Sequence, residues 1–200
     1  MVAVGPTTDA YEQRVGGRRV LRIVDLGTGS GCIAIAMGHY HPDWQVDGVD
    51  ISDDALALAA ENKARLHADN VQLVKSDLFV GLTGRHYDLI VTNFANGDVI
   101  GHTSSREAKL ACAEAVSEHL GQVVDAALAA DVAVLITADH GNLEVMTNVD
   151  GTPHVAHTAN PVPFIAIDPR SSGEGRARDG RLADIAPTVL HALGIPRPTA

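Results

Sequence analysis

An apolar run, Val20–Asp25, leads straight into Gly27-Thr28-Gly29-Ser30-Gly31, and a second apolar stretch, Cys32–Met37, begins at once. Alternate glycines open backbone conformations that other residues avoid, so the chain can reverse tightly here. The pattern predicts strand, glycine turn, helix. The same alternation follows downstream. Gln45–Asp50 reads as a second strand ending in Asp. Ser52 is placed to cap a helix, with Asp53 and Asp54 in its positive first turn. Ala55, Leu56, Ala59, Ala60 and Leu66 give that helix an apolar face. Val71–Val74 reads as a third strand, leading to Ser76-Asp77-Leu78-Phe79. Tyr87–Thr92 reads as a fourth, ending at Asn93.

The second half continues in the same rhythm. Ser104 and Glu107 are spaced as a capping box. Ala108, Ala111, Cys112, Ala115, Val116, Val123, Val124, Ala127 and Leu128 mark one long amphipathic helix. Ala133–Thr137 and Pro163–Ile167 read as strands, Asp168–Arg181 as an exposed loop, and Asp184–Leu193 as a last helix. Pro187 is tolerable in the first turn of that helix, and Gly194 and Pro196 end it. Strands alternating with helices imply an α/β fold: a three-layer, mostly parallel, doubly wound (Rossmann-like) sheet. Two parts are expected, residues 1–93 and residues 94–200. The strand at Tyr87–Asn93 is compatible with a single sheet that continues across the junction.

In doubly wound sheets, ligands bind at the carboxyl ends of the strands. Gly27, Gly29 and Gly31 would let a ligand approach the backbone. Asp50 could accept hydrogen bonds from both ribose hydroxyls, and Asp77 could meet an adenine amino group. The spacing is not that of the dinucleotide fingerprint, because Gly31 comes too early for its third glycine. A tight structural turn is the plainer reading of the glycines taken alone. The second half gathers Asp and His near predicted strand ends. Asp98 and His102 are spaced i, i+4, Asp139-His140 follows a strand, and His154 and His157 share a loop. Carboxylate with imidazole suits zinc or manganese. For any one of these histidines, a hydrogen-bonded loop residue is the plainer reading.

Two resemblances follow from these residues. Val24-Asp25-Leu26-Gly27-Thr28-Gly29-Ser30-Gly31-Cys32-Ile33-Ala34 resembles the first motif of S-adenosylmethionine-dependent methyltransferases. Val49-Asp50-Ile51-Ser52, Ser76-Asp77-Leu78-Phe79 and Tyr87–Asn93 fit the same group, most closely the glutamine N5-methyltransferases of ribosomal proteins and release factors. The likeness covers roughly residues 8–93. It implies S-adenosylmethionine held by Gly27, Gly29, Gly31, Asp50, Asp77 and Asn93, with Asn93 as the catalytic residue and a protein as substrate. That family continues from its Asn into Pro-Pro-Tyr, where this chain has Phe94-Ala95-Asn96. From Asn93 onward the chain resembles the C-terminal part of cofactor-independent phosphoglycerate mutase, in the alkaline-phosphatase superfamily. The carrying segments are Asn93–Thr103, Leu135–Asn142, His154–Pro163 and Arg181–Thr188. This likeness implies two manganese or zinc ions. Asp98, His102 and His157 match the ligands of one, and Asp139 and His140 match two ligands of the other. The family's nucleophilic Ser and substrate-gripping Arg and Lys residues have no counterpart at matching places.

The formal net charge of -10 is shared by both halves, which disfavours sequence-independent binding to nucleic acid. Cys32 and Cys112 have no paired spacing, which suits a reducing cytoplasm. No signal peptide and no membrane span are expected. Three function classes stay open at this point. One is a methyltransferase-type protein binding its cofactor with impaired catalysis. Another is a metal-dependent phosphoester-processing protein. The third is an inactive chimera, and metal analysis with cofactor titration separates them.

Overall fold

A computed structural model gives the structure of the protein and describes residues 1–4, 13–15, 18–169 and 177–196. Part of the expected Asp168–Arg181 loop thus lies outside the described residues. The chain divides into two compact units. One comprises residues 2–93 with 183–200, and the other comprises Met1 with 94–182.

In the first unit, strands β4 (Arg22–Leu26), β5 (Gln45–Asp50), β6 (Val71–Lys75) and β7 (Leu89–Thr92) are parallel, in the order β6-β5-β4-β7. β1 (Val2–Val4) adds antiparallel to β7, and β2 (Gln13–Val15) pairs with β3 (Arg18–Val20) in a separate hairpin. Ile23 and Val24 are successive and so face opposite sides, yet both are fully buried. The sheet is therefore covered on both faces, as a parallel sheet must be. From β4 the chain runs outward through β5 to β6, then returns to the other side of β4 for β7. The winding thus reverses between β4 and β7.

Two helices connect these strands: α1 (Cys32–Tyr40) and α2 (Asp53–Leu66). Ser52 caps α2 by accepting from the Ala55 N–H at 3.3 Å, with Asp53 and Asp54 in the first turn as anticipated. Its predicted apolar face is only partly realised: Ala59 is buried, but Ala60 and Leu66 are exposed. The crossover from β6 to β7 carries only a 3-10 turn at Val80–Leu82. The last helix, α5 (Ile185–Ala192), follows another 3-10 turn at Leu182–Asp184. Val189, Ala192 and Ile195 pack with buried Leu193 against Leu21, Ile23, Ile35 and Leu89. α5 and the residues just after it thus contribute to the core of the first unit.

The second unit holds α3 (Asn96–Gly101), α4 (Arg106–Ala129) and the antiparallel pair β8 (Ala133–Thr137) and β9 (Phe164–Ile167). The α4 cap is Ser105, whose hydroxyl accepts from the Ala108 N–H at 3.1 Å, and not Ser104. With the cap one residue later, Glu107 falls at the second helical position, too early to reach back as a capping box requires. The apolar stripe of α4 is buried at Val123 and Ala127, whereas Ala111 and Ala115 are exposed. Lys109 is also buried there, with its ammonium donating to the His154 carbonyl oxygen.

Candidate functional sites

The glycine turn of the first unit is built by a buried carboxylate. Asp25 accepts from the Thr28 hydroxyl at 2.7 Å and from the Ala34 N–H at 3.2 Å, tying strand end to helix start. Burial pushes its pKa up, although those two hydrogen bonds pull the other way. The N–H groups of Gly27 and Thr28 both donate to the Val49 carbonyl, folding the turn over β5. Gly27, Gly29 and Gly31 all have positive φ, at 72°, 57° and 83°. Their surroundings differ. A Cβ at Gly27 or Gly29 would meet open space, whereas one at Gly31 would lie 2.5 Å from Ile35 and 3.2 Å from Ala59. The first two glycines leave backbone exposed to a ligand, and the third lets α1 and α2 pack.

Asp50 ends β5 half-buried. One carboxylate oxygen accepts from the Gly29 N–H at 2.9 Å and the other from the Ser52 N–H at 3.0 Å. Each oxygen keeps a further lone pair for a ligand hydroxyl. Pairing of Asp50 with Lys75 brings exposed Asp77 out at the same edge. Pairing of Leu26 with Thr92 does the same for Asn93 beside the glycine turn. Along one edge the order is therefore Asp77, Asp50, the glycine turn, Asn93. Asp25 was missed as a site residue by sequence reasoning, since its role is to hold the turn and not to face outward.

In the second unit, Asp98 lies in the first turn of α3 and His102 caps its C-terminus, which puts both on one side. The Asp98 Oδ1 is 2.8 Å from the His157 Nε2, 3.2 Å from the His102 Nε2 and 3.8 Å from the His140 Nε2. Asp98, His102 and His157 offer one ligand atom each, all within 4.8 Å of one another. His102 Nδ1 donates to the Val155 carbonyl at 2.8 Å. A carbonyl can only accept, so in the neutral ring Nε2 presents its lone pair to the cluster. His140 stacks on His157 with ring centroids 3.7 Å apart. Asp139 is not brought into this cluster: its side chain is 87% exposed, and among the described residues its carboxylate forms an ion pair only with the neighbouring His140, at 3.6 Å. Desolvation raises the Asp98 pKa, but hydrogen bonds from Asn142 and His157, with the His157 and His102 charges, outweigh it and hold the carboxyl below its ordinary value. Asn142 and Glu144 surround this cluster and were not singled out from sequence. Both follow the Asp-His pair closely, which was the available signal.

The family model of the metalloenzyme superfamily matches residues 66–197, more than half the chain. That of ribosomal protein L11 methyltransferase matches residues 7–106, half of it. The chain belongs to both families. Its methyltransferase part is 80% identical over 83 residues to the ribosomal protein uL3 glutamine methyltransferase of Xanthomonas campestris pv. campestris, covering 42% of this chain and 27% of that one. Its metalloenzyme part is 54% identical over 114 residues to the 2,3-bisphosphoglycerate-independent phosphoglycerate mutase of Syntrophotalea carbinolica, covering 57% of this chain and 22% of that one. The chain thus spans about a quarter of the length of these relatives. Among solved structures, the human methyltransferase 10 domain containing protein aligns over 62% of this chain and 57% of its own, at 18% identity and a TM-score of 0.48. Both family matches include β7, the strand that either parent pattern can use. Among the described residues, no helix is long and apolar enough to cross a membrane.

Proposed function

We propose that the protein binds S-adenosylmethionine at the carboxyl edge of its parallel sheet and carries a separate one-ion metal site of phosphoglycerate mutase type, with catalysis impaired in both. The observation that carries the first reading is the Asp50 carboxylate, fixed between the Gly29 and Ser52 N–H groups beside open glycine backbone. Gly27 and Gly29 would line the methionine end, Asp50 would take the ribose hydroxyls and Asp77 the adenine amino group. Asn93 would face the transferred methyl, which the cofactor supplies in electrophilic form. Phe94-Ala95-Asn96 replaces the Pro-Pro-Tyr that would grip a substrate amide, so transfer to a glutamine of a protein substrate is expected to be weak or absent. A cytoplasmic location suits such a substrate.

The second reading rests on the Asp98, His102 and His157 cluster. One carboxylate and two imidazoles are a donor set for zinc or manganese, and three protein ligands leave a position open. His140 lies at the edge of this set, with Asp139 outside it. A bound ion would lower the pKa of a water toward neutrality, which suits slow hydrolysis of an activated phosphate ester. Mutase turnover is a different matter. It needs a nucleophile to carry the phosphoryl group and cations to hold the substrate. The resemblance assigns those to parts of the relatives that have no match here.

Calorimetry with S-adenosylhomocysteine and elemental analysis after dialysis against manganese or zinc test the two readings separately. Expected are saturable binding of the nucleoside and about one retained ion per chain, the latter lost in the His102→Ala/His157→Ala double variant. No heat with the nucleoside overturns the first reading. Equal metal in wild type and double variant overturns the second.

A further inference from the structure

The ligands of the metal cluster lie on two segments far apart in the chain, α3 with its cap and the His157 loop, and two side chains that follow β8 join them. Asn142 is buried, and its amide donates to the Asp98 Oδ1 at 3.0 Å and to the Asp98 carbonyl at 3.4 Å. Its own backbone N–H donates to the Glu144 Oε2 at 2.7 Å. The other Glu144 oxygen accepts from the Thr158 hydroxyl and from the Asn160 amide, the latter at 3.0 Å. Thr158 directly follows His157, and its N–H donates to the Gly141 carbonyl at 2.9 Å. A chain of contacts therefore runs from the His157 loop through Glu144 and Asn142 to Asp98 on α3.

The two glycines beside this chain show how closely it is fitted. A Cβ on Gly101 would collide with the Asn142 amide, and one on Gly141 would collide with Thr158 and Glu144. Among the described residues, the buried Asn142 Oδ1 has no hydrogen-bond partner. Leaving a polar atom so is costly, which fits a side chain held by its donors to orient Asp98. The Asp98 Oδ1 takes the Asn142 amide on one side and lies 2.8 Å from the His157 Nε2 on the other.

We infer that Asn142 and Glu144 are positioning residues that clasp α3, the Asp139–Asn142 loop and the His157 loop into a single metal-binding arrangement. The inference rests on the metal reading above. Outer partners of this kind change metal affinity by about 10–100-fold without touching the ion.

Cobalt(II), added to the full chain and followed by its visible absorption, is the probe. Wild type is compared with Asn142→Ala, Glu144→Ala, Glu144→Gln and His157→Ala, and far-UV circular dichroism reports folding. Asn142→Ala and Glu144→Ala are expected to bind cobalt about 10–100-fold more weakly and to shift its absorption bands, because Asp98 or His157 is no longer held in place. Glu144→Gln keeps one acceptor oxygen and should recover part of the affinity and the wild-type bands. Folded Ala variants with wild-type affinity and bands overturn the inference while leaving the metal reading intact. No cobalt uptake by wild type overturns the metal reading, and the inference with it. If Asn142→Ala does not fold, Glu144→Gln decides, since it is isosteric at an exposed side chain. A several-fold loss then upholds the clasp, and unchanged binding with unchanged bands overturns it.

Discussion

Asp25 and Asp50 lie near the carboxyl ends of neighbouring parallel strands, yet their environments give them opposite tasks. Asp50 is half-buried and bonded to two N–H groups, so it is held as an acceptor facing the sheet edge. Asp50→Ala should weaken binding of S-adenosylhomocysteine by about 1.5–3 kcal/mol, the range for hydrogen bonds to a charged group, as read by calorimetry. Asp25 is buried, and its pKa is raised above the ordinary 3.8, chiefly by burial. A raised carboxylate pKa means that the folded state binds the proton more tightly than the unfolded one. The contribution of Asp25 to stability is then fully present below 3.8 and is lost as pH rises through its folded value. Asp25→Asn keeps an acceptor for the Thr28 hydroxyl and removes the charge. Urea midpoints across the acid range should show the variant gaining on wild type as pH rises from 3.8 through that value and levelling off beyond it. A constant difference across the range would contradict this account.

Elements whose signals are local were legible in the sequence. Gln45–Asp50 and Ala133–Thr137 are strands over just those residues, the first following the turn-prone Pro42-Asp43 and the second an unbroken apolar run that closes in Thr137. Asp98 and His102 stood out by spacing, but the helix that carries them did not. Asn96-Gly97-Asp98-Val99-Ile100-Gly101 has poor intrinsic propensity, and its order comes from tertiary contacts such as the Asn142 amide on Asp98. The same limit applies to β1, whose three residues are too few to show a period and whose partner, β7, lies almost ninety residues on. Cap position was legible only to within a residue, since Ser104 and Ser105 are equally good cap residues. The structure gives the role to Ser105. Ser105→Ala should therefore cost about 0.5–2 kcal/mol, whereas Ser104→Ala should stay within about 0.5 kcal/mol. Thermal unfolding of the two variants, side by side, checks the assignment.

At the scale of the whole molecule, sequence kinship and packing divide the chain differently. Residues up to 197 match the metalloenzyme family, so α5 belongs by descent with the metalloenzyme part. By contact it belongs to the other unit, where Val189, Ala192, Leu193 and Ile195 join the core around Leu21, Ile23 and Leu89. No periodicity in residues 184–193 could reveal this, because an apolar face shows that a helix packs but not against what. The arrangement means that the unit of residues 2–93 takes part of its core from α5 and the residues just after it. Of the four residues that this end of the chain contributes, Leu193 is the most buried, 2% exposed. Leu193→Ala should cost about 2–5 kcal/mol, as for other buried leucines. Leu182, outside the core and half exposed, is the control, with an effect of Leu182→Ala within about 0.5 kcal/mol. The chain has a single tryptophan, Trp44, which packs against the same core cluster and stacks on His41. Its fluorescence therefore reports the unit to which contact assigns α5. In urea, the Trp44 transition of Leu193→Ala is expected to move to lower concentration, and binding of S-adenosylhomocysteine should weaken with it. If Trp44 unfolds at the wild-type midpoint in this variant, α5 does not serve that core, and the helix stays with the part of the chain from which its sequence descends.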